Sequence, residues 1–113
     1  MKQNYKDVAK ELETSVGQLA QQIPDTMKAF SLMGAAAKKS GALDAKSKEV
    51  IATAIAVAVR CDGCIASHVK AVEKHGAERE ELLEMLSMAI YMGGGPSVVY
   101  AAEALDAFDQ FSG

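Results

Sequence analysis

The chain has 113 residues, half of them apolar, with no tryptophan and a formal charge of −3. That length holds one hydrophobic core and is too short for two, so one domain spanning residues 1–113 is expected. The acidic balance argues against a nucleic-acid partner, which would call for a basic face; Lys38-Lys39 is the only adjacent basic pair. The N-terminus "MKQNYKDVAKELE" is polar and carries no signal-peptide core. The longest apolar run, Val50 to Val59, is about half a membrane span. These features point to a cytoplasmic protein without a membrane partner, a setting in which two cysteines serve catalysis or metal binding more often than structure.

Ala, Met and Leu supply most of the apolar surface, which favours helices. In chain order, Tyr5, Val8, Leu12, Val16, Leu19 and Ile23 recur every three or four residues and form one stripe of a first helix, which Pro24 ends. A second helix is expected from Asp25 to Lys39, carrying Met27, Phe30, Leu32 and Met33, with Ser40-Gly41 as its stop. Asp44 caps a third, running to about Arg60. Its segment "IATAIAVAV" alternates as a strand would. Alternating alanine is a poor strand face, however, and a lone strand cannot stand, so a helix buried on nearly every side is the reading adopted.

A fourth helix is expected from Asp62 to Lys74, with His75 in its last turn and Gly76 just beyond its end. A fifth covers Glu78 to Met92, with Leu82, Leu83, Leu86, Ala89 and Ile90 inward, and "AEREELLE" is its solvated, capped start. The GGG run breaks it, and Pro96 opens a sixth helix reaching Phe111. The expected fold is therefore all-α, about six helices in a bundle, with CxxC at the start of the fourth.

"VRCDGCIASHVKAVEKHG" (59–76) holds both cysteines and both histidines. On a helix, Cys61, Cys64 and His68 share one face, with Cys61 at the first turn, where free N–H groups and the helix dipole stabilise a thiolate. His68 lies one turn beyond Cys64 and can take its proton. Two thiols at this spacing can close a disulfide. Redox chemistry is the leading reading. Two inert buried thiols, or a metal site, stand beside it. His75 lies roughly 10 Å along the axis from His68, too far to share one tetrahedral ion. Met85, Met88 and Met92 read as core or interface filling, and Tyr91 and Tyr100, flanking the Gly-Pro break, as possible substrate contacts.

The pattern Glu49…Cys61-Asp-Gly-Cys64-Ile-Ala-Ser-His68, with the glutamate twelve residues before the first cysteine, resembles the AhpD-like branch of the carboxymuconolactone decarboxylase superfamily. "MGGGPSVVYAAEAL" (92–105) resembles the helical hairpin that follows, so the likeness runs from about Asp44 to Leu105. It implies an all-helical subunit assembling into a homo-oligomer (a trimer or hexamer). It also implies thiol-dependent reduction of hydroperoxides or disulfides, reset by an external dithiol, with no haem, metal or other cofactor. Carried onto this chain, the resemblance makes Cys64 the cysteine that meets peroxide and Cys61 the one that resolves it. His68 and Glu49 become the proton relay. Members often carry a second histidine where this chain has Gly63. Without the resemblance, Glu49 reads as a solvated acid near a helix start. An antiparallel third and fourth helix would leave Glu49 and His68 about one helical pitch apart, a gap for the side chain and a water. The decarboxylase branch generally lacks the cysteine pair; a ring-acid decarboxylase and a redox-sensing or zinc-binding assembly protein are the alternatives.

Overall fold

The computed structural model describes residues 3–113, and Asn4 opens the first helix by accepting the Asp7 N–H (3.1 Å) on its side-chain oxygen. Six helices follow: α1 (Tyr5–Gln22), α2 (Pro24–Lys38), α3 (Ala45–Ala58), α4 (Asp62–Lys74), α5 (Arg79–Gly93) and α6 (Gly95–Ser112). The described residues include no strand. Each boundary has a local cause. Pro24 does more than end α1: it sits in the first turn of α2, where its missing N–H is no loss. Asp44 accepts the Ser47 N–H (2.8 Å) and starts α3. Glu78 and Glu81 form a reciprocal capping box at α5.

The α3–α4 corner places the cysteines. The Cys61 N–H bonds the Ala56 carbonyl (3.1 Å) and the Arg60 N–H that of Val57 (3.2 Å), the paired bonds of a Schellman closure. The residue that makes this turn needs a left-handed backbone. Glycine usually supplies it, but here it is Arg60, at φ 61°. The end of α4 repeats the motif with Gly76 at φ 79° and His75 as an exposed C-cap.

α3 and α4 pack most extensively, with α5 and α6 completing the core around Val57, Ile65, Val69, Val72 and Leu82, all fully buried. Each such side chain stabilises the fold by roughly 1.5–3 kcal/mol. At the α5–α6 break, Gly93 lies directly on the buried Ser97 side chain, and any Cβ there would overlap it.

Two sequence expectations about facing are overturned. α3 is not buried on nearly every side: Thr53, Ala56 and Val57 point inward, whereas Ile51, Ile55 and Val59 are exposed. Leu83 of α5 also faces outward, whereas Leu82, Leu86 and Ala89 are buried and Ile90 packs against the core as expected. α2 has no buried residue at all; Phe30, Leu32 and Met33 are each more than 60% exposed. The physical reason is shared. One 113-residue chain has too little interior for every apolar face these helices carry. No described helix is long and apolar enough to cross a membrane.

Candidate functional site

Cys61 is the N-cap of α4, with its Sγ accepting the Cys64 N–H at 3.1 Å. The two cysteines are joined as a disulfide, their Cα atoms 5.2 Å apart, within the usual range for such a bridge. Both are half-buried, covered enough to be shaped by neighbours and open enough to react. The helix start supplies unpaired N–H groups and the positive dipole end beneath them.

His68 follows Cys64 by one turn and is half-buried. Its Nδ1 lies 2.7 Å from Oε1 of Glu49, on α3. Glu49 is 6% exposed, so the solvated reading of this residue is wrong. The hairpin of α3 and α4 turns at Arg60–Cys61 and lays the two side chains together directly; the expected one-pitch offset and bridging water are not needed. A buried carboxylate fixing one imidazole nitrogen orients the ring and leaves the other nitrogen free for proton transfer. Glu49 is thus paired with His68, and Cys61 with Cys64 one turn before that histidine along the chain, while His75 stands apart at the far end of α4. Among the described residues, no three His, Cys, Asp or Glu side chains gather as a metal would require.

Four features of the surroundings were not read from the sequence. Leu12 of α1 lies over Gly63, so that a Cβ there would meet its Cδ2 at 3.3 Å. The space a histidine at this position would use is held by leucine. Lys48 Nζ bonds the carbonyls of Ala37 (2.9 Å) and Lys39, capping α2 and tying it to α3. Between these helices lies a cleft of about 440 Å³, lined by Phe30, Ile51, Ile55 and Lys48 among others, with His68 in its wall. Exposed apolar side chains on α2 and α3, which a bundle does not need, were the signal that could have found it. Tyr91, 79% exposed, and Tyr100, packed against the core, do not line this cleft.

The fourth feature lies across α4 from His68. Tyr5 is 1% exposed; its hydroxyl makes no hydrogen bond of normal geometry and has Glu103 as its near neighbour, while the buried Oδ1 of Asp62 has no partner. Burial, then the negative charges of Glu103, Asp62 and Asp106, hold the phenol protonated well above its ordinary range. Glu103, facing the phenol from α6, is likewise pushed up by burial and by Asp62.

Comparison with known proteins places the chain by fold and family. The chain superposes with a TM-score of 0.94 on a crystal structure of an apo carboxymuconolactone decarboxylase family protein from Legionella pneumophila, 50% identical over 96% of this chain and 97% of that one. A structure from Thermotoga maritima gives 0.75 at 26% identity, over 84% and 89% of the two chains. An uncharacterised protein of Cupriavidus necator is 43% identical over 99 residues, 88% of each chain. The model of the carboxymuconolactone decarboxylase family matches residues 24–107, from the start of α2 through most of α6. The chain belongs to the carboxymuconolactone decarboxylase family.

Proposed function

We propose that this protein is a thiol-dependent oxidoreductase of the AhpD-like branch of its family, reducing hydroperoxides or disulfides through Cys61 and Cys64. The observation that carries the reading is the buried Glu49–His68 pair, 2.7 Å apart, set one turn beyond a cysteine pair that already closes as a disulfide at a helix start.

The chemistry follows from the placement. His68, held by Glu49, accepts the Cys64 proton. The thiolate attacks the terminal oxygen of a hydroperoxide, the O–O bond breaks, and the leaving alkoxide takes the proton from His68. Cys64 is then a sulfenic acid. Cys61 attacks its sulfur, the disulfide forms, and the sulfenic oxygen departs as water with the Cys61 proton. An external dithiol reduces the pair by exchange and is itself oxidised. A disulfide substrate enters the same cycle, with a thiolate as leaving group. The residues named need no resident metal or other cofactor for these steps.

The cleft beside His68 favours an organic substrate over hydrogen peroxide, because its wall is mostly aliphatic and aromatic. Exposed apolar faces on α2, α3 and α5 support a homo-oligomer, of trimeric or hexameric order by the resemblance.

The test is steady-state hydroperoxide turnover with a dithiol reductant. Cys64→Ser and Cys61→Ser are each expected to abolish catalytic turnover. Full activity in both variants would overturn the reading. Activity on a ring acid that survives thiol alkylation but is lost in His68→Ala would support the decarboxylase alternative.

A further inference from the structure

Cys61 and Cys64 share one turn, and two local features favour opposite members of the pair. Cys61 is the N-cap, with a backbone N–H on its sulfur and the helix dipole beneath it, which lowers a thiol's proton affinity. Cys64 has the histidine. Something further must decide which thiol ionises, and on the α1–α6 side of the helix start there is a group of side chains that the proposed chemistry leaves unused.

Asp62 directly follows Cys61. Its Oδ1 is buried without a partner, and its Oδ2 lies 3.5 Å from the neutral Gln3 amide. The Tyr5 phenol is also buried, Gln110 joins its backbone N–H to the Gln3 carbonyl and the Asp106 carboxylate, and the charges of Glu103, Asp62 and Asp106 act on it. Asp106 is engaged by the Gln110 amide at 3.2 Å, and Glu103 is half-buried. Lys6 of α1 and Arg60 of the corner are exposed to solvent, which screens them, and the positive amino terminus acts on Glu103 in the opposite sense, against the larger effects of burial and Asp62. On the α3 side the charged groups are the Glu49–His68 pair. The asymmetry is plain: Asp62, with one carboxylate oxygen buried, directly follows Cys61, and a histidine lies one turn beyond Cys64.

The geometry points to Tyr5, Asp62 and Glu103 as a positioning cluster that keeps Cys61 a neutral thiol, so that Cys64 ionises and attacks while Cys61 resolves. This rests on the reading of the pair as a peroxide- or disulfide-reducing dithiol. Negative charge next to Cys61 disfavours its thiolate and opposes the helix dipole there. The raised proton affinities of Tyr5 and Glu103 fit a pocket in which negative charge is already crowded. Cys61 then keeps its proton until it meets the sulfenic acid on Cys64, and that proton leaves with the sulfenic oxygen as water. The Tyr5 hydroxyl is the donor that faces these carboxylates and tempers their charge.

The experiment reads ionisation and not turnover. Reduced Cys64→Ser and Cys61→Ser proteins each retain one thiol, and the pH dependence of alkylation by iodoacetamide, followed by intact mass, gives its midpoint. Cys61 is expected to titrate above Cys64. Glu103→Gln and Asp62→Asn, both isosteric, are each expected to raise the Cys61 thiolate fraction at pH 7 by about three-fold or more, with a smaller change at Cys64. Tyr5→Phe is expected to move Cys61 the other way, toward higher pH. A purely structural role would not move the thiol in opposite directions. Cys61 ionising below Cys64, or Cys61 unmoved by both charge-neutral variants, would overturn the proposal. If the titrations behave as expected but no hydroperoxide or disulfide oxidises the wild-type pair, the ordering stands and the proposed reaction falls.

Discussion

Glu49 Oε1 and His68 Nδ1 lie 2.7 Å apart, joining two helices through a carboxylate that solvent barely reaches. The contact depends on the α3–α4 corner, and it makes each residue's environment a property of the other.

Replacing His68 therefore has two separable effects. His68→Ala is expected to slow oxidation of the thiols by an organic hydroperoxide about 10²-fold or more, the range of a lost general acid–base. It also strands the Glu49 carboxylate and lowers stability by about 1–3 kcal/mol. Glu49→Gln keeps the imidazole and gives a smaller rate loss. Stopped-flow oxidation and urea unfolding of both variants check the pair of effects. Equal rates in wild type and His68→Ala would remove the histidine from the chemistry.

Gly63 lies against Leu12, and that contact is the reason a side chain fits badly here. Gly63→Ala asks only the tip of a leucine to shift, so thermal unfolding should place it within about 1 kcal/mol of wild type, helix propensity offsetting the tighter contact. Gly63→His is expected to cost about 1–3 kcal/mol by overpacking. The double variant Leu12→Ala/Gly63→His should recover part of that loss, the coupling expected of residues in contact.

Arg60 holds a left-handed backbone that glycine adopts without strain. Arg60→Gly is expected to stabilise the protein by about 1 kcal/mol while leaving the Schellman bonds intact, measured by urea unfolding. A destabilised variant would mean that the arginine side chain itself holds the corner.

Tyr5 gives the fold an alkaline limit. Its proton affinity is raised in the folded state, so the folded chain keeps the phenolic proton while the unfolded chain releases it near pH 10. The resulting stability is fully present below about pH 10 and is lost above it, by at most about 1.4 kcal/mol per pH unit for one proton. Unfolding curves between pH 9 and 11 should fall more steeply for wild type than for Tyr5→Phe. Parallel curves would show that the phenol does not contribute.

Where helices begin and end was legible because single residues fix it: Asp44, Pro24 and Gly76 act through their own backbone or side chain. The CxxC–His spacing was legible for the same reason, since Cys61 caps α4 and Cys64 and His68 lie on it. Facing was harder. Ile51, Ile55 and Phe30 are as apolar as Val57 or Leu82, and no local rule says which the core will take when there are more apolar faces than interior. Glu49 had to be borrowed from a family likeness, because its burial is created by a residue on the next helix. The grouping of Tyr5, Asp62 and Glu103 draws on three helices and left no pattern in the sequence.

The central claim, that Cys61 and Cys64 form a peroxide-reactive dithiol, is tested most directly by intact mass. Fully reduced protein is mixed with one equivalent of an organic hydroperoxide and quenched with an alkylating agent. The account predicts rapid conversion to a species lacking two hydrogens and carrying no alkyl group. Two thiols that still alkylate fully after long exposure would contradict it.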